Sequence, residues 1–216
     1  MPDTHAPNPW LKRTAVALLL LVLGIVAGAL VSRTGPPTAT SGAAARLVEP
    51  RPLAPFRLSV DGGRLLDNDT LRGKWSLLFF GYAHCPDVCP ATLAELARAY
   101  ELLAQDPDVL DDTQVIFVSV DPARDTPQTL AAYTGFFNPA FIGATGEATQ
   151  LAALARQLDV QFRLGSGEAY AVDHSSAILL IDPQVRYHAR IKAPHHAQDI
   201  RRQFLEIRRQ YQPPSP

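Results

Sequence analysis

The chain carries two cysteines, Cys85 and Cys89, separated by Pro86-Asp87-Val88 and preceded by the apolar run Trp75-Ser76-Leu77-Leu78-Phe79-Phe80. Two thiols at this spacing, with no third to pair with, either close a local disulfide or hold one soft metal ion. Thiolates select Cu(I) or Zn over Mg or Ca. The shorter C-x-x-C spacing of thiol oxidoreductases brings the sulfurs together for rapid exchange. One additional residue still permits a disulfide but loosens the loop, so that both sulfurs can face one ion. As a structural staple such a bond is poor, because so short a loop constrains the unfolded chain little.

Around this pair the sequence predicts alternating strands and helices. Residues 55–67 form two short alternating stretches about Asp61-Gly62-Gly63, a hairpin signal. Residues 74–81, apolar apart from Lys74 and Ser76, suit a strand covered on both faces. Leu93, Leu96, Tyr100 and Leu103 then recur at helical spacing, so a helix begins directly after the cysteines. Val115-Ile116-Phe117-Val118-Ser119-Val120 is a second buried strand, and Thr126-Pro127 opens a helix with inner face Leu130, Tyr133 and Phe137. A third helix is predicted over 147–158. An antiparallel pair follows at 177–181 and 185–191, and Ile200, Phe204, Ile207 and Tyr211 mark a closing helix. This order predicts an α/β, thioredoxin-like fold with an N-terminal β-hairpin extension. In it the cysteines stand where the first long central strand meets its helix. A helix start favours thiolate over thiol through its unpaired N–H groups and partial positive charge.

Two sulfurs leave a coordination position open, and the chain has six histidines to fill it. His5 precedes a long apolar segment and His84 is expected to point away. His188 lies within a strand, and His195 and His196 fall in a loop before the last helix, where a solvated role is expected. His174, in Val172-Asp173-His174-Ser175-Ser176, immediately precedes the 177–181 strand. Topology places it opposite the cysteines. Asp173 is expected to orient that imidazole or cap the turn, with a fourth ligand as the alternative, and Asp87 is either a tuner of the thiolates or a solvated acid. Asp121, Arg124 and Asp125 read as strand-end and helix-start charges, with Thr126 as the cap; contact with the site or a partner is the alternative. The pairs Arg201-Arg202 and Arg208-Arg209 form a basic stripe expected to face solvent, with docking to an acidic partner surface or lipid headgroups as the alternative.

Residues 14–32 carry no charge, and at about 1.5 Å per residue a helix of this length reaches roughly 28 Å, close to a bilayer's hydrocarbon thickness. Lys12 and Arg13 precede it and Arg33 follows it. The charge bias orients the N-terminus to the cytoplasm. A cleavable signal peptide with Ala27-Gly28-Ala29 as its cleavage site is the competing reading, and both place the body in a compartment that oxidises thiols. The expected organisation is a cytoplasmic tail at 1–13, a single transmembrane anchor at 14–32 and a flexible linker at 33–52. One compact domain follows at 53–212, with a frayed end at 213–216. A net charge of −1 argues against a nucleic-acid binder.

The chain resembles the Sco/SenC family of membrane-tethered copper proteins needed for cytochrome c oxidase assembly. Four motifs carry the resemblance: Phe80-Gly81-Tyr82 leading to Cys85-Pro86-Asp87-Val88-Cys89-Pro90; Val118-Ser119-Val120-Asp121-Pro122-Ala123-Arg124-Asp125-Thr126-Pro127; Val172-Asp173-His174-Ser175; and Leu180-Ile181-Asp182-Pro183. The resemblance implies that Cys85, Cys89 and His174 are copper ligands. It also implies a periplasmic domain anchored in the inner membrane that delivers copper to the binuclear site of cytochrome c oxidase subunit II, or reduces that subunit's cysteines. Another periplasmic copper carrier is a further implied partner. Gln184-Val185 departs from the glycine-containing turn common in the family, so a wider hairpin is expected there.

Overall fold

The computed structural model describes residues 19–20, 45–164, 172–174 and 176–213. The chain divides into two units, Met1–Thr40 and Ser41–Pro216. Of the first, only Leu19 and Leu20 are described, and they are helical. Among the described residues no helix is long and apolar enough to cross a membrane. The expected anchor at 14–32 otherwise lies outside them.

The second unit begins with β1 (Ala45–Pro52), followed by the hairpin β2 (Arg57–Val60) and β3 (Arg64–Asp67) and the short α1 (Asn68–Leu71). Next come β4 (Trp75–Gly81), α2 (Val88–Leu103), α3 (Pro107–Asp111), β5 (Thr113–Ser119) and α4 (Pro127–Phe137). They are followed by β6 (Ile142–Thr145), α5 (Ala148–Gln157), β7 (Phe162–Leu164) and β8 (Val172–His174). The order closes with β9 (Ile178–Ile181), β10 (Arg186–Ile191) and α6 (Ala197–Arg209).

Eight strands form one sheet in the order β1-β10-β9-β4-β5-β6-β2-β3, and β7 and β8 pair separately. β4 lies parallel to β5, in register from Trp75 opposite Thr113 to Gly81 opposite Ser119. On its other side β4 runs antiparallel to β9, which pairs antiparallel with β10. Every residue of β4 and β5 is buried, as expected of strands built around the apolar runs at 77–80 and 115–118 and covered on both faces. These four strands with α2, α4 and α6 are the expected thioredoxin-like core. The β2–β3 hairpin extends it through β6.

Three sequence expectations are corrected. The linker assigned to 33–52 is not a linker over its last eight residues: Ala45–Pro52 is β1, antiparallel to β10. It is an edge strand whose register shifts between Arg46 and Arg51, and this is where Pro50 and Pro52 are tolerated. The turn after Asp182 is not widened. Val185 N–H donates to Asp182 O at 2.8 Å and Asp182 N–H to Arg186 O at 3.0 Å, closing a tight hairpin. Val185 occupies the left-handed position (φ 61°) that glycine ordinarily fills. The buried Asp182 carboxylate accepts from the backbone N–H groups of Gln184 and Arg186 and from Arg186 Nε, which holds the turn despite that backbone.

Nor does the basic stripe of α6 simply face water. Arg201 bonds Asp106 (2.6 Å) and Arg208 bonds Asp112 (2.5 Å), tying α6 to residues flanking α3. Arg202 and Arg209 pair within α6 with Asp199 and Glu206.

Candidate metal centre

β4 delivers the chain to the centre. After Gly81 it leaves the sheet in a turn closed by Cys85 N–H donating to Tyr82 O (3.2 Å), and α2 begins at Val88. Asp87, at the N-cap, makes no side-chain capping bond. The Cys85 sulfur does this instead, accepting the Cys89 N–H at 3.5 Å. One of the four donors that a helix start leaves unpaired is thus satisfied by sulfur.

No disulfide joins Cys85 and Cys89, and the two thiols are electrostatically unequal. Burial alone would raise the Cys85 pKa. The backbone N–H groups of Asp87 and Cys89, the Cys89 thiol and the Tyr82 side chain outweigh it, holding Cys85 below the usual thiol value. Cys89 is fully enclosed, and burial pushes its pKa far up; Cys85 and the negative charge of Asp125 add to the effect against the Tyr82 backbone N–H. Cys85 is therefore the readier thiolate, and Cys89 holds its proton until something replaces it.

Gly81 is what admits the Cys89 sulfur. A Cβ there would lie 2.8 Å from Cys89 Sγ and 2.6 Å from Cε2 of Phe117, distances that real Cβ atoms do not show. The Phe117 ring is itself held between Phe79 and Tyr133.

Beneath the cysteine turn lies the loop from Ser119 to Thr126. Asp125 is fully buried; its Oδ2 accepts from Ala83 N–H (2.9 Å) and from Ser119 Oγ (2.5 Å). Its Oδ1 stands 3.4 Å from Nδ1 of His84. Asp121 is also fully buried and pairs with Arg124, whose guanidinium lies over the Tyr82 ring at 5.7 Å. The ordinary reading of these charges as turn residues is too weak: they clamp the segment that presents the cysteines. No spacing rule links residue 125 to residue 83. The nearest signal in the sequence was three charges packed between a buried strand and a capped helix. Thr126 does cap α4, accepting Thr129 N–H.

His174 is the last residue of β8, paired through its backbone with Phe162 of β7; Asp173 pairs with Arg163. Cα atoms of β8 come within 8 Å of those of β4, the strand that leads to the cysteines. Among the described residues no cluster of three or more His, Cys, Asp or Glu side chains is arranged to hold a metal. The Asp87 side chain is exposed, and it is the backbone of Asp87 that bonds to Cys85. His188, buried in β10, contacts Asp182 Oδ2 (3.3 Å). His195 is not the solvated loop residue expected; it is partly buried and bonded to the Ser176 carbonyl.

Two thiols of unequal acidity at a helix start, one of them seated against a glycine, suit a soft ion or disulfide exchange. The SCO1/SenC family model matches residues 46–208. The mitochondrial SCO2 homolog of Bos taurus is 36% identical over 160 residues, covering 71% of this chain and 60% of the bovine protein. The crystal structure of Arabidopsis thaliana ScoI with copper bound superposes with a TM-score of 0.68 at 34% identity, covering 73% of this chain and 98% of that one. Yeast Sco1 with copper bound superposes with a TM-score of 0.68 at 28% identity, covering 76% and 92%. From the matched length, the family motifs and the shared fold, the chain belongs to the SCO1/SenC family.

Proposed function

We propose that the protein binds one copper ion through the thiolates of Cys85 and Cys89 and the imidazole of His174. It passes this ion to the binuclear copper site of cytochrome c oxidase subunit II. The observation that carries the reading is the cysteine pair itself: a sulfur seated against Gly81 and a second sulfur already accepting a helix N–H, at the end of the strand beside which β8 runs. The relatives whose structures hold copper support it. Two thiolates and an imidazole suit Cu(I) in a three-coordinate site, whereas Cu(II) prefers a fourth N or O ligand. In this reading Asp173, adjoining His174, orients that ligand without binding the ion itself. An open site of few ligands exchanges its ion with a partner where a closed cage would hold it.

The location belongs to the same proposal: a single-pass inner-membrane protein with a cytoplasmic N-terminus and its copper domain in the periplasm, receiving copper from another carrier there. The test is transfer. The copper-loaded protein is mixed with metal-free, reduced subunit II, and the absorption of the binuclear site is followed. Growth of that absorption at the expense of bound copper supports the reading; retention of copper at excess acceptor refutes delivery.

A second reading is favoured by the inequality of the two thiols, which matches an attacking and a resolving cysteine. Cys85 thiolate would attack a disulfide of subunit II, forming a mixed disulfide. Cys89, after losing its proton, would then displace the second target sulfur. The target gains two thiols and the protein is left with a Cys85–Cys89 disulfide. Reduction of oxidised subunit II by copper-free protein, undiminished in His174→Ala, would favour this reading.

A further inference from the structure

The segment between β10 and α6 touches two elements that the proposed centre needs held together. The Nε2–H of His195 donates to the carbonyl oxygen of Ser176 at 2.6 Å, and Ser176 lies two residues beyond His174 in the chain. Two residues after His195, the Ala197 N–H donates to Oε2 of Glu95 at 2.7 Å. Glu95 stands on α2, six positions after Cys89. One short run of chain is therefore bonded to the helix that carries a cysteine and to the backbone that follows the histidine.

His195 is built for this contact. Lys192, Ala193, Pro194 and His196 around it are exposed, whereas His195 is half-buried. A carbonyl can only accept, so Nε2 carries the proton. Nδ1 has essentially no exposed surface and no hydrogen-bond partner among the described residues. The ring is thus held in one tautomer with a single donor directed at Ser176. Burial, reinforced by His196 against the bond to Ser176, keeps its pKa below the ordinary histidine value and the ring neutral. Beyond Ser176 the chain enters β9, where Ile178 pairs with both Phe79 of β4 and Ile191 of β10. The entry to β9 is held at Ser176 by the imidazole.

We propose that His195 is a positioning residue of the metal centre: by holding the Ser176 carbonyl it sets the backbone that carries His174, and through Ala197 and Glu95 it refers that backbone to the cysteine helix. The inference rests on His174 being a ligand. It assigns to the fold a residue that touches neither the metal nor the sulfurs.

The test uses the purified full-length chain, loaded with copper, as wild type, His195→Leu, His195→Gln and His174→Ala. Glutamine presents an amide N–H at the reach of Nε2; leucine has similar bulk and no donor. Three quantities are read: the sulfur-to-Cu(II) charge-transfer band, the rate of Cu(I) loss to a chelator, and alkylation of Cys85 in metal-free protein. His195→Leu is expected to lose copper roughly three- to tenfold faster than wild type, with His195→Gln within about twofold, the effect of one hydrogen bond. Cys85 alkylation is expected to be unchanged in both. Wild-type copper loss in His195→Leu overturns the inference, as does equal loss in the leucine and glutamine variants. So does altered Cys85 alkylation in His195→Leu, which would mark a general structural effect. If His195→Leu fails to fold, His195→Asn, whose amide is too short to reach Ser176, takes its place under the same criteria. Failure of the underlying reading looks different: wild type then shows no charge-transfer band, or His174→Ala keeps copper as wild type does, and the role of His195 falls with it.

Discussion

Gly81→Ala and Gly135→Ala exchange the same residue types and should act in opposite directions. At Gly81 the new methyl would stand 2.6 Å from the Phe117 ring and 2.8 Å from Cys89 Sγ. Neither neighbour can yield cheaply, since Phe117 is fully buried and packs between Phe79 and Tyr133, while Cys89 is fixed on the first turn of α2. Overpacking of this kind costs about 1–3 kcal/mol. For a domain of this size each kcal/mol moves Tm by about 2–4 °C, so a fall of roughly 4–8 °C follows for the middle of that range. At Gly135, exposed within α4, a Cβ meets nothing within 4 Å. Removing a helix-interior glycine there should stabilise by about 0.5–1 kcal/mol, a rise of about 1–4 °C. The assay is thermal unfolding of the reduced, metal-free protein, followed by copper titration. Gly81→Ala should also weaken copper binding, because the sulfur it displaces is a proposed ligand, whereas Gly135→Ala should leave the titration unchanged. Equal Tm changes for the two variants, or full copper affinity in Gly81→Ala, would refute the packing account of the cysteine seat.

Timed alkylation with peptide mapping should modify Cys85 well before Cys89, with the Cys85 rate rising at a pH below the ordinary thiol value and Cys89 remaining protected into the alkaline range. Faster labelling of Cys89 would contradict the assigned inequality. Asp182→Ala should destabilise by about 3–5 kcal/mol in denaturant melts, because it leaves Arg186 and His188 without their carboxylate. Burial alone would raise the Asp182 pKa, but His188 and Arg186 lower it below the unfolded value of about 3.9. Its contribution is therefore present above that pH and lost as pH falls through the folded value. The wild type should lose stability on acidification more steeply than Asp182→Ala, and parallel acid limbs would count against the assignment.

The parts of the fold legible in the sequence were those whose cause is local. β4 and β5 announce themselves through the apolar runs at 77–80 and 115–118 because both faces are covered, and Thr126-Pro127 marks a helix start because cap and first turn sit side by side. β1 was hidden because an edge strand with two prolines owes its pairing to β10, far along the chain. β6 was missed because it is four residues long and carries Gly143, where a Cβ would strike the backbone of Leu130 at 2.8 Å. The cysteine pair was legible from residue type and spacing alone. The clamp beneath it was not, since Asp125 reaches Ala83 and Glu95 reaches Ala197 across 42 and 102 residues. The tight turn at Val185 was misread because a β-branched residue rarely takes a left-handed backbone, and only the Asp182 hydrogen bonds make it tolerable here.

The central claim is that two sulfurs and one imidazole hold one copper. It is tested most directly by copper stoichiometry after equilibrium dialysis of the reduced protein against limiting free copper, alongside Cys85→Ser, Cys89→Ser and His174→Ala. The account predicts one copper per wild-type chain with a sulfur-to-Cu(II) charge-transfer band, and loss of that band and of tight binding in each variant. Full copper content with an unaltered band in His174→Ala, or no copper in the wild type, would contradict it.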